Sequence, residues 1–280
     1  MQGLEGDASS GAAAFAAELI EADARAVTLA PIAARAPGFD LAAAYEVQAC
    51  INRERFAAGW HLVGRKIGFT NRGIWPLYGV DAPMWAPLFD RTVRNTESGR
   101  AVVSLAGTVQ PRIEPEILFC LAAPPPAGLT EPAQVLRYVA WYAHSVEIVQ
   151  SHFPGWKAQL PDFCADNACH ARLVVGPSRK IAAGRDAQTI DGFANCRVAL
   201  MHSGRVMQEG RGGNALGHPL LALAHLADVL AAQMRMPRLA AGEIVSTGTL
   251  TDAWPVAAGQ TWSTRFTGLD VQDLEIEFLA

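Results

Sequence analysis

Gln110-Pro111-Arg112-Ile113-Glu114-Pro115-Glu116-Ile117-Leu118-Phe119-Cys120-Leu121 is the stretch whose reading decides the fold. Glu114 and Glu116 stand two apart, directly before the apolar run Ile117 to Leu121. In a strand, residues i and i+2 point to one face, about 6.5–7 Å apart along it. Two carboxylates entering a buried segment on one face repel each other and lose hydration unless positive charge sits between them. A hard divalent cation with oxygen ligands, Mg²⁺ or Mn²⁺, meets that requirement. The plainer alternative is an exposed pair at the mouth of an edge strand, which Pro115 would also suit because it cannot donate to a ladder.

Outward from this stretch, short strands are expected at Leu62–Phe69, Ala101–Leu105, Ile113–Leu121, His144–Val149 and Ala171–Val175. Others follow at Arg197–His202, Ile244–Thr247, Thr261–Phe266 and Leu274–Phe278. Helices are expected over 131–142 and 218–234; the second opens on Pro219 and presents Leu220, Leu223, Leu226 and Leu230 as an apolar face. Strands and helices do not alternate as a doubly wound sheet requires, so the pattern is a mostly β core with a few covering helices. Residues 1–11 should fray, 12–35 should be helical until Pro31 breaks the run, and Asp40 should cap a second helix through Ala57. Residues 1–60 are therefore expected to form an N-terminal helical region and 61–280 a β-rich domain. Residues 70–90, with Trp75, Pro76, Pro83, Trp85 and Pro87, are expected to be an apolar loop of the kind that walls a pocket.

Composition narrows the function classes. Half of the 280 residues are hydrophobic (50%) and only 18% are charged, which marks a globular chain. A net charge of −4 gives no electrostatic footprint for nucleic acid, and no run of apolar residues is long enough for a membrane span. Glu5 and Asp7 replace the basic start of a secretory signal, and the five cysteines contain no C-x-x-C pair. A cytoplasmic protein with reduced thiols is expected.

Glu147, in Val146-Glu147-Ile148-Val149, is a second acid inside an apolar run and a candidate third carboxylate for an open Mg²⁺ site. Lys66 lies in the strand-like Gly-Arg-Lys-Ile-Gly-Phe, as a snorkelling surface lysine or as a cation for an anionic substrate. Asp81 reads as a turn residue or as an acid–base group. Gly210 to Ala215 imitates a dinucleotide loop, yet it lacks the βαβ context and the acid that follow such loops, so it is a turn and helix start. The scattered histidines and the adjacent pair Cys169-His170 read as packing.

Taken in order, Gly64-Arg65-Lys66-Ile67-Gly68-Phe69-Thr70, Tyr78-Gly79-Val80-Asp81, Gln110 to Ile117, Val146-Glu147-Ile148-Val149, Trp156-Lys157 through Asp162 to Ala168, and Gly242-Glu243 with Thr247-Gly248-Thr249, Pro255-Val256 and Gly259 resemble the 2-keto-4-pentenoate hydratase / 4-oxalocrotonate decarboxylase family. That family sits within the fumarylacetoacetate hydrolase superfamily. The resemblance runs from about residue 40 to the end. It implies an α+β fold, a mixed β-roll core preceded by helices, in a homo-oligomer or in a complex with a partner lyase. It also implies a divalent metal, Mg²⁺ or Mn²⁺, held by Glu114, Glu116 and Glu147, with Lys66 and Asp81 as the matching catalytic lysine and aspartate.

The expected substrate is a small 2-oxo or 2-hydroxydienoate acid whose carboxylate and neighbouring oxygen chelate the metal, which stabilises an enolate. Lys66 would contact the carboxylate and oxo end, Asp81 would shuttle a proton, and Trp75, Leu77, Tyr78 and Trp85 would exclude water. Arg65 at the pocket entrance, Lys157 and Thr249 complete the expected substrate-binding set. A hydratase of a 2-keto-4-pentenoate-like acid is the leading expectation, and a 4-oxalocrotonate-like decarboxylase the second. A C–C hydrolase of acylpyruvates is the third, disfavoured because residues 62–143 contain no histidine to activate water. A non-catalytic partner subunit is disfavoured because all three acids are retained.

Overall fold

The computed structural model describes residues 5–182, 184 and 186–280. The alanine-rich start winds into α1 (Glu5–Arg25), so the expected fraying over 1–11 gives way to helix from Glu5, and Met1 to Leu4 lie outside the described residues. Each alanine added to an existing helix gains a backbone bond at little entropic cost, which favours extension. The helix stops before Pro31 because Ala26 turns left-handed at φ 50°. Asp40 caps α2 (Leu41–Ala57), accepting from the Ala43 N–H at 2.9 Å.

β1 (Leu62–Gly68) then opens the sheet. The expected loop over 70–90 is instead a short helix, α3 (Trp75–Tyr78), and a strand, β2 (Met84–Phe89), antiparallel to β1. β2 is the edge of its sheet, a position that tolerates Pro87 because one side of the strand has no neighbour to receive an N–H. After β3 (Val93–Asn95) and β4 (Arg100–Ser104) comes β5 (Arg112–Leu121), the decisive stretch. The expected helix over 131–142 shrinks to α4 (Pro132–Leu136), because Val139 onward joins β6 (Val139–Val149), paired with β5 along its length. α5 (Leu160–Ala165), β7 (His170–Val175), α6 (Asp186–Asn195) and β8 (Arg197–His202) follow. Ser203-Gly204, both with positive φ, make the two-residue turn into β9 (Arg205–Arg211), an unexpected strand. α7 (Pro219–Ala231), β10 (Ile244–Thr249), β11 (Trp254–Pro255), β12 (Thr261–Thr267) and β13 (Glu275–Leu279) complete the chain.

The larger sheet runs β2-β1-β10-β5-β6-β7-β3, with β11 added beside β5; the smaller runs β4-β13-β12-β8-β9. Both are mixed: β1 with β10, β3 with β7 and β4 with β13 are parallel, and the remaining pairs antiparallel. Ile117 and Phe119 of β5 pack against Leu220, Leu223 and Leu226 of α7, whereas Ile113, Ile148 and Val174 meet Trp262, Ile276 and Phe278 of the smaller sheet. A third cluster joins Leu19, Val47 and Ile51 of α1 and α2 to Met84, Phe153 and Phe163. This is the expected α+β architecture, with sheets curled around a shared core and helices leading. Among the described residues no helix is long and apolar enough to cross a membrane.

Candidate metal centre

Register assembles the site. β5 and β6 pair so that Glu114 lies opposite Glu147, and Glu116 opposite Ser145. β10, between β1 and β5, sets Ser246 opposite Lys66 on one side and Leu118 on the other. One carboxylate oxygen from each of Glu114, Glu116 and Glu147 lies within 4.8 Å of the other two. Three acids up to thirty-three positions apart in the chain thus converge on one point, Glu116 and Glu147 fully buried and Glu114 half-buried.

Glu116 and Glu147 are aimed by partners, most of which sequence reasoning passed over. Glu116 Oε2 accepts from the Gly248 N–H at 3.0 Å and from the Ser246 hydroxyl, while its Oε1 is buried without a hydrogen-bond partner. Gly248 has φ +95°, and a Cβ there would sit 1.9 Å from Thr70 Oγ1, so only glycine can present that N–H. The Nδ1–H of His170, the tautomer a carboxylate acceptor requires, donates to Glu147 Oε1 at 2.8 Å. Lys66 Nζ lies 3.1 Å from Glu147 Oε2 and donates to the Ala168 carbonyl at 2.9 Å. That carbonyl belongs to Asn167-Ala168-Cys169, three consecutive residues at φ 51°, 48° and 63°. Left-handed backbone without glycine is strained, and strain of this kind persists where surrounding structure holds it.

The charges fit a divalent ion. Burial works against the Lys66 charge, but Glu147, Glu114 and Glu116 outweigh it and hold the ammonium above its ordinary range. Burial also pushes Glu147 up, yet Lys66 and His170 bring it below the usual carboxylate value. Burial, opposed by Lys66 and reinforced by Glu147, pushes Glu114 up to about 7. Burial and the negative charges of Glu147 and Glu114 raise Glu116 well above the usual range. Glu147 and Lys66 therefore neutralise each other, while Glu114 and Glu116 tend to keep protons. Exchanging those two protons for one doubly charged cation leaves the charge balance unchanged, and gives the orphaned Glu116 Oε1 a partner. An all-carboxylate donor set fits a hard, oxygen-seeking ion.

A cleft of about 200 Å³ opens above this point, and Lys66, Glu114, Glu116, Thr249 and Leu77 all line it. Other expected members of the site lie elsewhere. Arg65 points to the opposite face of β1, as the neighbour of Lys66 in a strand must, and is buried against Glu243 at 3.2 Å and the Pro237 carbonyl at 3.1 Å. Trp75 donates from its indole to the Phe69 carbonyl and packs into the N-terminal cluster. Trp85 is buried, stacked on Tyr45 at 5.3 Å, because β2 turns it inward. Asp81 and Lys157 are exposed and do not line the cleft. The side chain of Tyr78 falls outside the described residues.

The wall instead includes Trp156, with the Arg112 guanidinium 4.4 Å above its ring. His144 is structural as expected: burial pushes it down to about 4, and its ring bridges the Glu116 carbonyl and Thr264. His170 was expected only to pack; its link to Glu147 spans 23 positions, and no local pattern announces it.

Residues 82–274 match the family model described as fumarylacetoacetate (FAA) hydrolase C-terminal. A 2-keto-4-pentenoate hydratase of Burkholderia vietnamiensis is 35% identical over 261 residues, 92% of this chain and 94% of the relative. A 4-oxalocrotonate decarboxylase of Pseudomonas sp. strain CF600 is 33% identical over 233 residues, 83% of this chain and 84% of the relative. Among solved structures, 4-oxalocrotonate decarboxylase from Pseudomonas putida G7, complexed with magnesium and adipate, superposes with a TM-score of 0.85 at 27% identity, covering 96% of this chain and 98% of that one.

Proposed function

The chain belongs to the fumarylacetoacetate hydrolase family, and on that footing we propose that it is a divalent-metal-dependent lyase of small 2-oxo or 2-hydroxydienoate acids, a hydratase of a 2-keto-4-pentenoate-like substrate. One observation carries this reading: Glu114, Glu116 and Glu147 converge beside a charged, buried Lys66 at the floor of a cleft sized for a small acid. Glu114, Glu116 and Glu147 would hold Mg²⁺ or Mn²⁺. The ion, when bound, supplies positive charge where negative charge develops on the substrate's oxygens.

The protein's own groups do the rest. Lys66, paired with Glu147 at 3.1 Å, binds and orients the substrate's carboxylate end as a cation. The Thr249 hydroxyl and Arg112 border the same space, and Leu77, Ile74 and Trp156 form its apolar side, against which the carbon chain lies. Asp81 has the proton-shuttle role in this reading. It requires the exposed segment carrying Arg72, Pro76 and Leu77 to fold over the cleft and bring Asp81 inward. The five cysteines, all free and buried, suit a cytoplasmic setting, and a homo-oligomer is the expected assembly.

Decarboxylation of a 4-oxalocrotonate-like acid is the second reading. Arg112 favours it, because a second cation at the cleft wall suits a substrate with two carboxylates. Purified protein with Mg²⁺ should consume 2-hydroxypenta-2,4-dienoate, read as loss of dienol absorbance, without releasing CO₂. Release of CO₂ from 4-oxalocrotonate would instead select the decarboxylase. Glu114→Ala should abolish either turnover. Inertness toward both acids with both metals defeats the proposal.

A further inference from the structure

A second cavity, of about 300 Å³, lies on the other side of the strained segment Asn167-Ala168-Cys169. Ala168 and Cys169 line the metal cleft, whereas Asn167 lines this second space, between the strands and the helices α1 and α2. Two of its polar side chains are buried without having their bonding satisfied. Asn167 is 5% exposed, and neither its amide nitrogen nor its amide oxygen has a partner. His152 is 1% exposed; Asp166 holds its Nδ1 at 2.7 Å and its backbone N–H at 3.0 Å, while Nε2 is unpartnered and stands 3.7 Å from Asp23. A buried amide with both ends open costs roughly 1–3 kcal/mol per unsatisfied group, so natural chains seldom keep one without a ligand or water to fill it.

The remaining lining says what would satisfy these atoms. The Arg55 guanidinium lies across the faces of Trp60 and Phe89, 5.4 and 5.6 Å from their centroids, and makes no hydrogen bond to a described residue. Burial opposes charge on His152, but the hydrogen bond and charge of Asp166, with Asp23, favour the protonated ring, and in that ring Nε2 is a donor. The acids are engaged or turned outward: Asp166 serves His152, Asp23 accepts from Gln150 at 2.9 Å, and Glu54 is exposed. The open groups are therefore three donors (Arg55, His152 Nε2 and Asn167 Nδ2) and one acceptor, Asn167 Oδ1. Ile20 and Ile51 supply an apolar side.

We propose that this cavity is a second binding site, distinct from the metal centre, for a small carboxylic acid bearing a hydroxyl group beside its carboxylate. The carboxylate meets Arg55 and His152. The Asn167 amide spans the pair, its N–H donating to a carboxylate oxygen and its oxygen accepting from the ligand's hydroxyl. A cyclic pairing of this kind uses both open ends of one amide at once.

Calorimetric titration of the Mg²⁺-loaded protein with lactate tests this, with propionate as the probe lacking the hydroxyl. Glu116→Gln separates the two sites, since it removes a metal-centre carboxylate and leaves the second cavity untouched. The expected result is a lactate-binding event, separate from any at the metal, that survives in Glu116→Gln and weakens at least about tenfold in Arg55→Met, with propionate weaker by a similar factor. Asn167→Asp, whose side chain tolerates the left-handed backbone, should lose lactate likewise by placing a carboxylate against a carboxylate. It also serves as the test if Arg55→Met fails to fold. Absence of lactate binding, disappearance of every binding event in Glu116→Gln, or full affinity in a folded Arg55→Met or Asn167→Asp protein overturns the proposal. Loss of turnover in Glu116→Gln bears on the metal centre alone.

Discussion

At the scale of single residues, the metal centre is a contest between protons and a cation for the same oxygens. Glu114 is at about 7 in the fold against an ordinary 4.5, so between those values the native chain binds more protons than the unfolded one. For this group, metal-free stability falls as pH rises through that window; Glu116, raised likewise, acts in the same direction. Glu147, lowered in the fold, works the other way, and its contribution is lost as pH falls. A divalent ion displaces the protons of Glu114 and Glu116, so the rise in melting temperature produced by Mg²⁺ should be larger at pH 8 than at pH 5.5. Scanning calorimetry at both values reads this directly; an equal shift at both would mean that these two acids are not the ligands. His170 aims Glu147 without belonging to the carboxylate set. His170→Ala should weaken Mg²⁺ binding about 10–100-fold, as loss of such a supporting hydrogen bond does at metal sites. His170→Gln, which keeps an N–H donor, should recover part of that affinity in the same titration.

Among elements, legibility followed the strength of the local pattern. α7 announced itself by Pro219 at its start and leucines at helical spacing, and it packs as that spacing required, with Leu220, Leu223, Leu226 and Leu230 buried. Leu223 is fully enclosed, so Leu223→Ala should lower stability by about 2–5 kcal/mol in denaturant unfolding, with no change in Mg²⁺ affinity. Over 131–142 the local pattern misled, because pairing with β5 takes over from Val139 and long-range ladder bonds outweigh a weak helical preference. β2 was hidden by Pro83 just before it and Pro87 within it, the latter a residue that an edge strand tolerates. The same strand alternation that brings Lys66 into the cleft turns Arg65 away from it, so two adjacent basic residues have opposite surroundings.

For the whole molecule, the N-terminal helices share a core with the β-rich part. Leu19, Val47 and Ile51 bury against Met84, Phe153 and Phe163, and deleting residues 1–60 would leave that apolar surface in water. A chain starting at residue 61 should therefore lack the cooperative thermal transition of the full chain, as followed by circular dichroism. The amino-acid order by itself determined the fold class, the strand bearing Glu114 and Glu116, the candidacy of Glu147 and Lys66, and the capped and leucine-faced helices. These rest on periodicity, on capping and on ordered motifs, all of which are local properties of a chain. Only the tertiary structure decided which groups surround those acids: the Gly248 N–H and Ser246 hydroxyl on Glu116, His170 on Glu147, Arg112 over Trp156 in the cleft wall, and the removal of Arg65, Trp75, Trp85, Lys157 and Asp81 from that wall. Those positions follow from strand order and register, which bring distant segments together through bonds that no short stretch of sequence encodes.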